Sequence, residues 1–213
     1  ILQGITIIVQ FIMMWQISLR VIPSVYGQYM LYVSLVGLVT MTLVAWPNAA
    51  LLRFGREEWN KTGHMGNSLG SRLFLYILGT VITVIVLAIF DSQVASFLKT
   101  KTTPFLWLTL GVLIIPLGEM FIYANQAIGK TQIYGITPLL NRLVLLVGIC
   151  LIPIISVPTD WRYIVSWTLG GALVSALFAA LSLQKTVWNK LTISTTMLSQ
   201  IIRYSWAIPF GAI

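Results

Sequence analysis

The sequence predicts an all-α fold, a polytopic transmembrane helix bundle of six spans plus the start of a seventh. Three observations carry that expectation. Hydrophobic residues make up 58% of the chain and charged residues 8%, whereas soluble domains carry about a quarter charged residues. The apolar residues fall into runs near the roughly 20 residues that a helix needs to cross a hydrocarbon core. Between Arg20 and Arg53, 32 residues pass without one Asp, Glu, Lys, Arg or His.

The same composition excludes several kinds of chemistry. A single Cys150 allows no internal disulfide, and a single His64 leaves no metal site built on two or more histidines, such as HExxH, in this chain alone. No metal, no cofactor and no enzymatic activity are expected. The net charge of +8 comes from thirteen Lys and Arg spread through the connections between apolar runs, where they read as topology signals and not as a nucleic-acid surface. Ile1 is neither an initiator Met nor part of a basic leader, and Phe210–Ile213 stops inside a new apolar run. The chain therefore reads as truncated at both ends.

In order, the first span covers Ile1–Leu19, with Gln3, Gln10 and Gln16 read as a polar stripe that faces protein or a watery cavity. Pro23 and Gly27 mark a short connection to the second span, Gln28–Leu52, where Pro47 removes a backbone donor and should kink the helix beside Trp46 and Asn48. The connection Arg53–Arg72 is the most polar part of the chain, a solvated loop with a short interfacial helix near Arg56–Lys61, and His64 reads as a loop histidine. The third span, Leu73–Phe90, is rich in β-branched residues but remains a helix, because a lone strand in lipid leaves its backbone unpaired. The fourth, Phe105–Gln126, contains Pro116, Gly118 and the mid-span acid Glu119. A turn, Asn125–Gly135, precedes the fifth, which starts near Thr137 or Arg142 and ends at Ile155. The sixth, Tyr163–Leu183, offers Gly170, Gly171, Ala172, Ser175, Ala179 and Ala180 for close helix packing. Gln184–Arg203 has helical apolar spacing and reads as an amphipathic surface helix. The expected division is a six-helix transmembrane lobe over 1–183, a cytoplasmic amphipathic linker over 184–203 and the seventh span beginning at 204–213.

Nine of the basic residues fall on one side of this topology and four on the other. The positive-inside rule puts the richer side, and with it the N-terminus, in the cytoplasm.

The order of YGQY at Tyr26–Tyr29, an apolar span with small residues, and ALLRFGREE at Ala50–Glu58 resembles the second transmembrane helix and first cytoplasmic loop of polysaccharide flippases. That family, which handles O-antigen and other lipid-linked oligosaccharides, belongs to the superfamily of MATE-like multidrug, oligosaccharidyl-lipid and polysaccharide exporters. The NQAIGKTQIYG segment after the fourth span and RYSWAIPFGAI near the seventh extend the resemblance loosely along the chain. It implies the N-terminal lobe of a two-lobed MATE-like flippase in a bacterial inner membrane. The implied function is alternating-access translocation of an undecaprenyl-pyrophosphate-linked oligosaccharide, a repeat unit of O-antigen, capsule or exopolysaccharide, in association with polysaccharide polymerase machinery. It leaves open whether H+, Na+ or the membrane potential drives transport. A lipid II flippase, a MATE-type exporter of small cations and, from another class, a membrane-embedded glycan-assembly enzyme are the alternatives.

A diphosphate crossing an apolar slab needs cationic or amide groups facing a watery path. The candidates for substrate binding or gating are Arg53, Arg142, Asn48, Asn125 and Gln10, together with Glu119. An isolated mid-span carboxylate costs about 2.5–3.5 kcal/mol on insertion scales, so Glu119 needs a partner or a proton. Arg142 on the next span is the expected ion-pair partner and Arg53 the alternative. The pair reads either as a static support or as a gate that a substrate diphosphate would open.

Overall fold

The computed structural model describes residues 2–100, 104–155, 160–183, 185–188 and 190–205. The helices are α1 (Leu2–Arg20), α2 (Pro23–Thr40) running into a π-helical segment (Met41–Ala45), α3 (Asn48–Thr62), α4 (Gly66–Ile89), α5 (Asp91–Phe97), α6 (Phe105–Ala127), α7 (Thr131–Ile155), α8 (Trp161–Ser182), α9 (Lys185–Trp188) and α10 (Thr195–Ser205). No strand occurs among the described residues. Six of these elements are long and apolar enough to cross a membrane: α1, α2 with its π segment, α4, α6, α7 and α8. That is the expected number of spans. Large apolar side chains such as Phe11, Trp15, Ile77, Ile85 and Leu177 lie exposed on them, as lipid-facing positions would.

Three boundaries differ from the sequence reading, and each has a local cause. The second span ends at Ala45, because Pro47 cannot donate to the preceding turn; Trp46 and Pro47 form a turn, after which α3 starts at Asn48. The expected loop Arg53–Arg72 is mostly helical. α3 runs to Thr62, closes on Gly63 in the left-handed conformation at φ 68°, and α4 already begins at Gly66. Buried Glu58 holds this turn: its carboxylate accepts from the Asn67 amide (3.0 Å), the Ser68 amide (2.8 Å) and the Ser68 hydroxyl (2.7 Å). It thereby caps free N–H groups at the start of α4. His64 lies in the turn, its Nδ1 3.5 Å from Glu58. The expected turn Asn125–Gly135 shrinks to Ile128–Lys130 around Gly129 at φ 87°, so α7 starts at Thr131 and Arg142 is a mid-helix residue.

α6 lies at the centre, packed against α8, α3, α4, α7 and α2, while α1 rests mainly on α7. The small residues of α8 act as expected. Gly171 receives the Asn141 backbone, Ser175 donates to the Thr137 carbonyl (2.9 Å), and Gly118 on α6 packs on Ala176. Gly170 instead faces open space. The three glutamines of α1 do not all share one face: Gln3 and Gln10, seven residues apart, lie within about 20° of each other, and Gln16 is turned away from both. A six-residue step from Gln10 to Gln16 turns a helix to about 120° away from its starting face.

The linker reaches α10 as an extended strap. The Thr192 amide donates to the Gly66 carbonyl (3.3 Å), and Gly70 admits the Thr192 backbone where a side chain could not fit. α10 then packs on α4 and α3, its Ile201 buried, which agrees with an amphipathic helix. It extends to Ser205, two residues beyond the expected boundary; residues 206–213, where the seventh span was expected, lie outside the described residues.

Candidate functional site

The site begins at the break in the second span. Val44 lies in the π segment, and its carbonyl oxygen accepts a hydrogen bond from Nη2 of Arg72 (2.7 Å). Asn48 is the first residue of α3, and its Oδ1 accepts from Arg72 Nε (2.9 Å). Gly79, two turns further along the same face of α4, meets the Leu43 backbone, so α4 lies close enough to bring Arg72 to these acceptors. Arg72 is fully buried, six residues or about 9 Å into α4. The guanidinium fork donates to two acceptors at once, which a lysine could not reproduce. Among the described residues neither its Nη1 nor Nδ2 of Asn48, both enclosed, has a hydrogen-bond partner.

Glu119 approaches from α6. It couples electrostatically to Arg72, yet among the described residues it forms neither an ion pair nor a hydrogen bond. Half-buried, it lines a cavity of about 640 Å³ with Thr42, Trp46, Asn48, Tyr123 and Tyr134, rimmed by Leu38 and Met41. The cavity lies at the α3/α10 end of the bundle: Tyr123 is four residues from the end of α6 and Tyr134 three residues into α7. Its lining combines the Glu119 carboxylate with the amphipathic rings of Trp46, Tyr123 and Tyr134.

The expected candidates are therefore only partly brought together. Asn48 and Glu119 share the cavity. Arg142 does not pair with Glu119. Its Nη1 donates to the Thr6 carbonyl of α1 (3.0 Å), because α7 starts six residues earlier than the nearer expected start and turns this side chain toward α1. Arg53 pairs with Glu57 (3.5 Å), its guanidinium 4.9 Å from the Tyr204 ring, on the exposed surface of α3. Asn125 is buried in a helix contact, donating to the Phe121 and Ala179 carbonyls (both 2.8 Å); this is packing between α6 and α8. Gln10 is half-buried on α1, outside the cavity lining. Arg72 was missed as a site residue because a charge at the edge of an apolar run reads as the loop. The signal that could have found it is the run Gly66, Ser68, Gly70, Ser71, small residues suited to close helix packing. Tyr123 and Tyr134 carried no signal in a chain rich in aromatics.

No family model matches this chain, and neither the curated proteins nor the solved structures searched contain a match.

Proposed function

We propose that the chain is part of a bacterial inner-membrane flippase, moving an undecaprenyl-pyrophosphate-linked oligosaccharide from the cytoplasmic to the outer face by alternating access, with its N-terminus cytoplasmic. The observation that carries the reading is the pair of arginines inside the spans. Arg142 is the twelfth residue of the 25-residue α7, with a backbone carbonyl as its hydrogen-bond acceptor. Arg72 is buried inside α4 among neutral acceptors. Cations are rare at such depth and tend to mark ion or substrate paths. A pyrophosphate needs such groups, and the YGQY and ALLRFGREE resemblance points to the same substrate class.

The rival reading is a MATE-type exporter of organic cations, favoured by Glu119 in an aromatic-lined cavity. Arg72 beside it opposes that reading, since a bound cation would compete with a fixed one.

Complementation tests the proposal. A full-length version should restore surface polysaccharide in a strain lacking its flippase, and Arg142→Ala should lower that restoration at least about tenfold with the protein still in the membrane. Failure of the unaltered protein to restore polysaccharide, while present in the membrane, would end the flippase reading.

A further inference from the structure

We propose that the groove between α4 and the 190–194 strap holds one resident anionic phospholipid, with an acyl chain along Leu73, Phe74 and Ile77 and the phosphate beside Lys190. The groove measures about 430 Å³ and is lined by Leu73, Phe74 and Ile77 of α4 and by Leu191, Thr192 and Ile193 of the strap. Gly70, Leu73, Phe74 and Ile77 recur at helical spacing and share one face. That face is turned away from the Glu119 cavity: Arg72 and Gly79, which meet the π segment, lie about 180–200° round α4 from Gly70. The two hollows have no lining residue in common. Hydrogen bonds tie the inner side of the strap to α4, from the Thr192 amide to the Gly66 carbonyl and from the Thr192 hydroxyl to Asn67 Oδ1. Ile193 stays 60% exposed, as do large parts of Phe74 and Ile77.

The gradient along the groove selects the occupant. The Lys190 carbonyl sits on Gly66, the first residue of α4, about 6 Å along the helix from Gly70. The groove continues from Gly70 to Ile77, about 10 Å deeper, and exposed Val81 and Ile85 extend it along the lipid side. A cation at the helix end and hydrocarbon below it match a phosphate with an acyl chain. Lys190 is exposed and joins no ion pair among the described residues. A zwitterionic lipid would fill the same groove but bring a second positive charge to that lysine. The amphipathic α10 that follows the strap suits the membrane surface, where basic residues attract anionic headgroups. The chain itself leaves from another place: the eleven residues of α10 carry it about 16 Å away, to where the Tyr204 ring meets Phe54 of α3. The inference needs only that these helices span a bilayer, and it stands whatever the protein transports.

The test uses the full chain in nanodiscs of equal parts phosphatidylglycerol and phosphatidylcholine. The substitution Ile193→p-benzoylphenylalanine puts a photo-reactive ring at the groove, and Phe11→p-benzoylphenylalanine, on the exposed face of α1, serves as the control. After irradiation, mass spectrometry counts the lipid adducts. Phosphatidylglycerol should exceed phosphatidylcholine about fivefold or more at position 193, since one basic side chain near an anionic surface is worth about that factor. The two lipids should be near parity at position 11. Lys190→Glu, at an exposed side chain whose backbone contacts are kept, should bring position 193 to parity or below. If a photo-reactive chain fails to fold, native mass spectrometry of the unaltered and Lys190→Glu proteins reads the same ratio from the lipids retained. Equal yields of the two lipids at position 193, enrichment that Lys190→Glu leaves unchanged, equal enrichment at position 11, or cross-linking to a second copy or to residues beyond 205 in place of lipid would each overturn the proposal. A phosphatidylglycerol preference in a protein that fails the complementation assay would leave the lipid site standing and remove the transport reading.

Discussion

Arg72 and Glu119 bear opposite charges in the same region of the bundle, yet their structural roles differ because their hydrogen bonds differ. Arg72 satisfies the Val44 carbonyl and Asn48 Oδ1 at 2.7 and 2.9 Å, and removing it strands both acceptors at about 1–3 kcal/mol each. Arg72→Leu should therefore lower the melting temperature sharply and cut membrane yield, with Arg72→Lys intermediate because a point charge cannot serve both acceptors. Among the described residues Glu119 has no hydrogen bond to lose. Glu119→Gln should change thermal stability by less than about 1 kcal/mol, measured by melting in detergent. Equal destabilisation by the two substitutions would mean that the carboxylate also supports the fold. The apolar pattern makes an intramembrane carboxylate easy to find in the sequence, since Glu119 stands alone in its run. It cannot name the partner, which depends on how three helices pack. Arg142, the nearest arginine in an antiparallel neighbour, faces α1 instead.

At the scale of elements, two glycines of the same residue type should respond in opposite ways. Gly70 faces the Thr192 backbone so closely that an added Cβ would fall on it, whereas Gly27, inside α2, has nothing within 4 Å. Gly70→Val should push the 190–194 strap off α4 and speed limited proteolysis within it. Gly27→Ala should leave proteolysis unchanged and add about 0.5–1 kcal/mol of stability by removing backbone freedom. The α3–α4 turn offers a third case. Glu58→Ala removes three hydrogen bonds from the start of α4 and should cost about 1–2 kcal/mol in a melting experiment, with Glu58→Gln losing less because an acceptor remains. Length and apolarity made the six spans legible. Their ends were not, for a physical reason: Arg72 and Arg142 can lie inside helices because local acceptors satisfy them, and a reading that treats each charge as a loop begins α4 and α7 too late. Pro47 was legible as a disturbance, but only packing against Gly79 and Arg72 turns it into the π segment and break that open the cavity.

For the whole molecule, those two arginines inside spans also change the argument about orientation. Arg72 and Arg142 lie within spans and so drop out of a rule that weighs charges in short loops and near span ends. Arg53, Arg56, Lys61, Lys130, Lys185, Lys190 and Arg203 remain at the α3/α10 end, against Arg20, Lys99 and Arg162 at the other, while Lys101 lies outside the described residues. The bias survives the correction, and the positive-inside rule still predicts that the α3/α10 end, where the cavity lies, faces the cytoplasm. A reporter fused after Lys61 should be active only as a cytoplasmic protein, and one fused after Lys101 only outside it. Arg142→Ala should leave that pattern intact, since a mid-span charge does not set orientation. Replacing Arg53, Arg56 and Lys61 together should blur it, because those three charges stand at the first polar turn on that side. The reverse reporter pattern would turn the molecule over and place the cavity on the outer face.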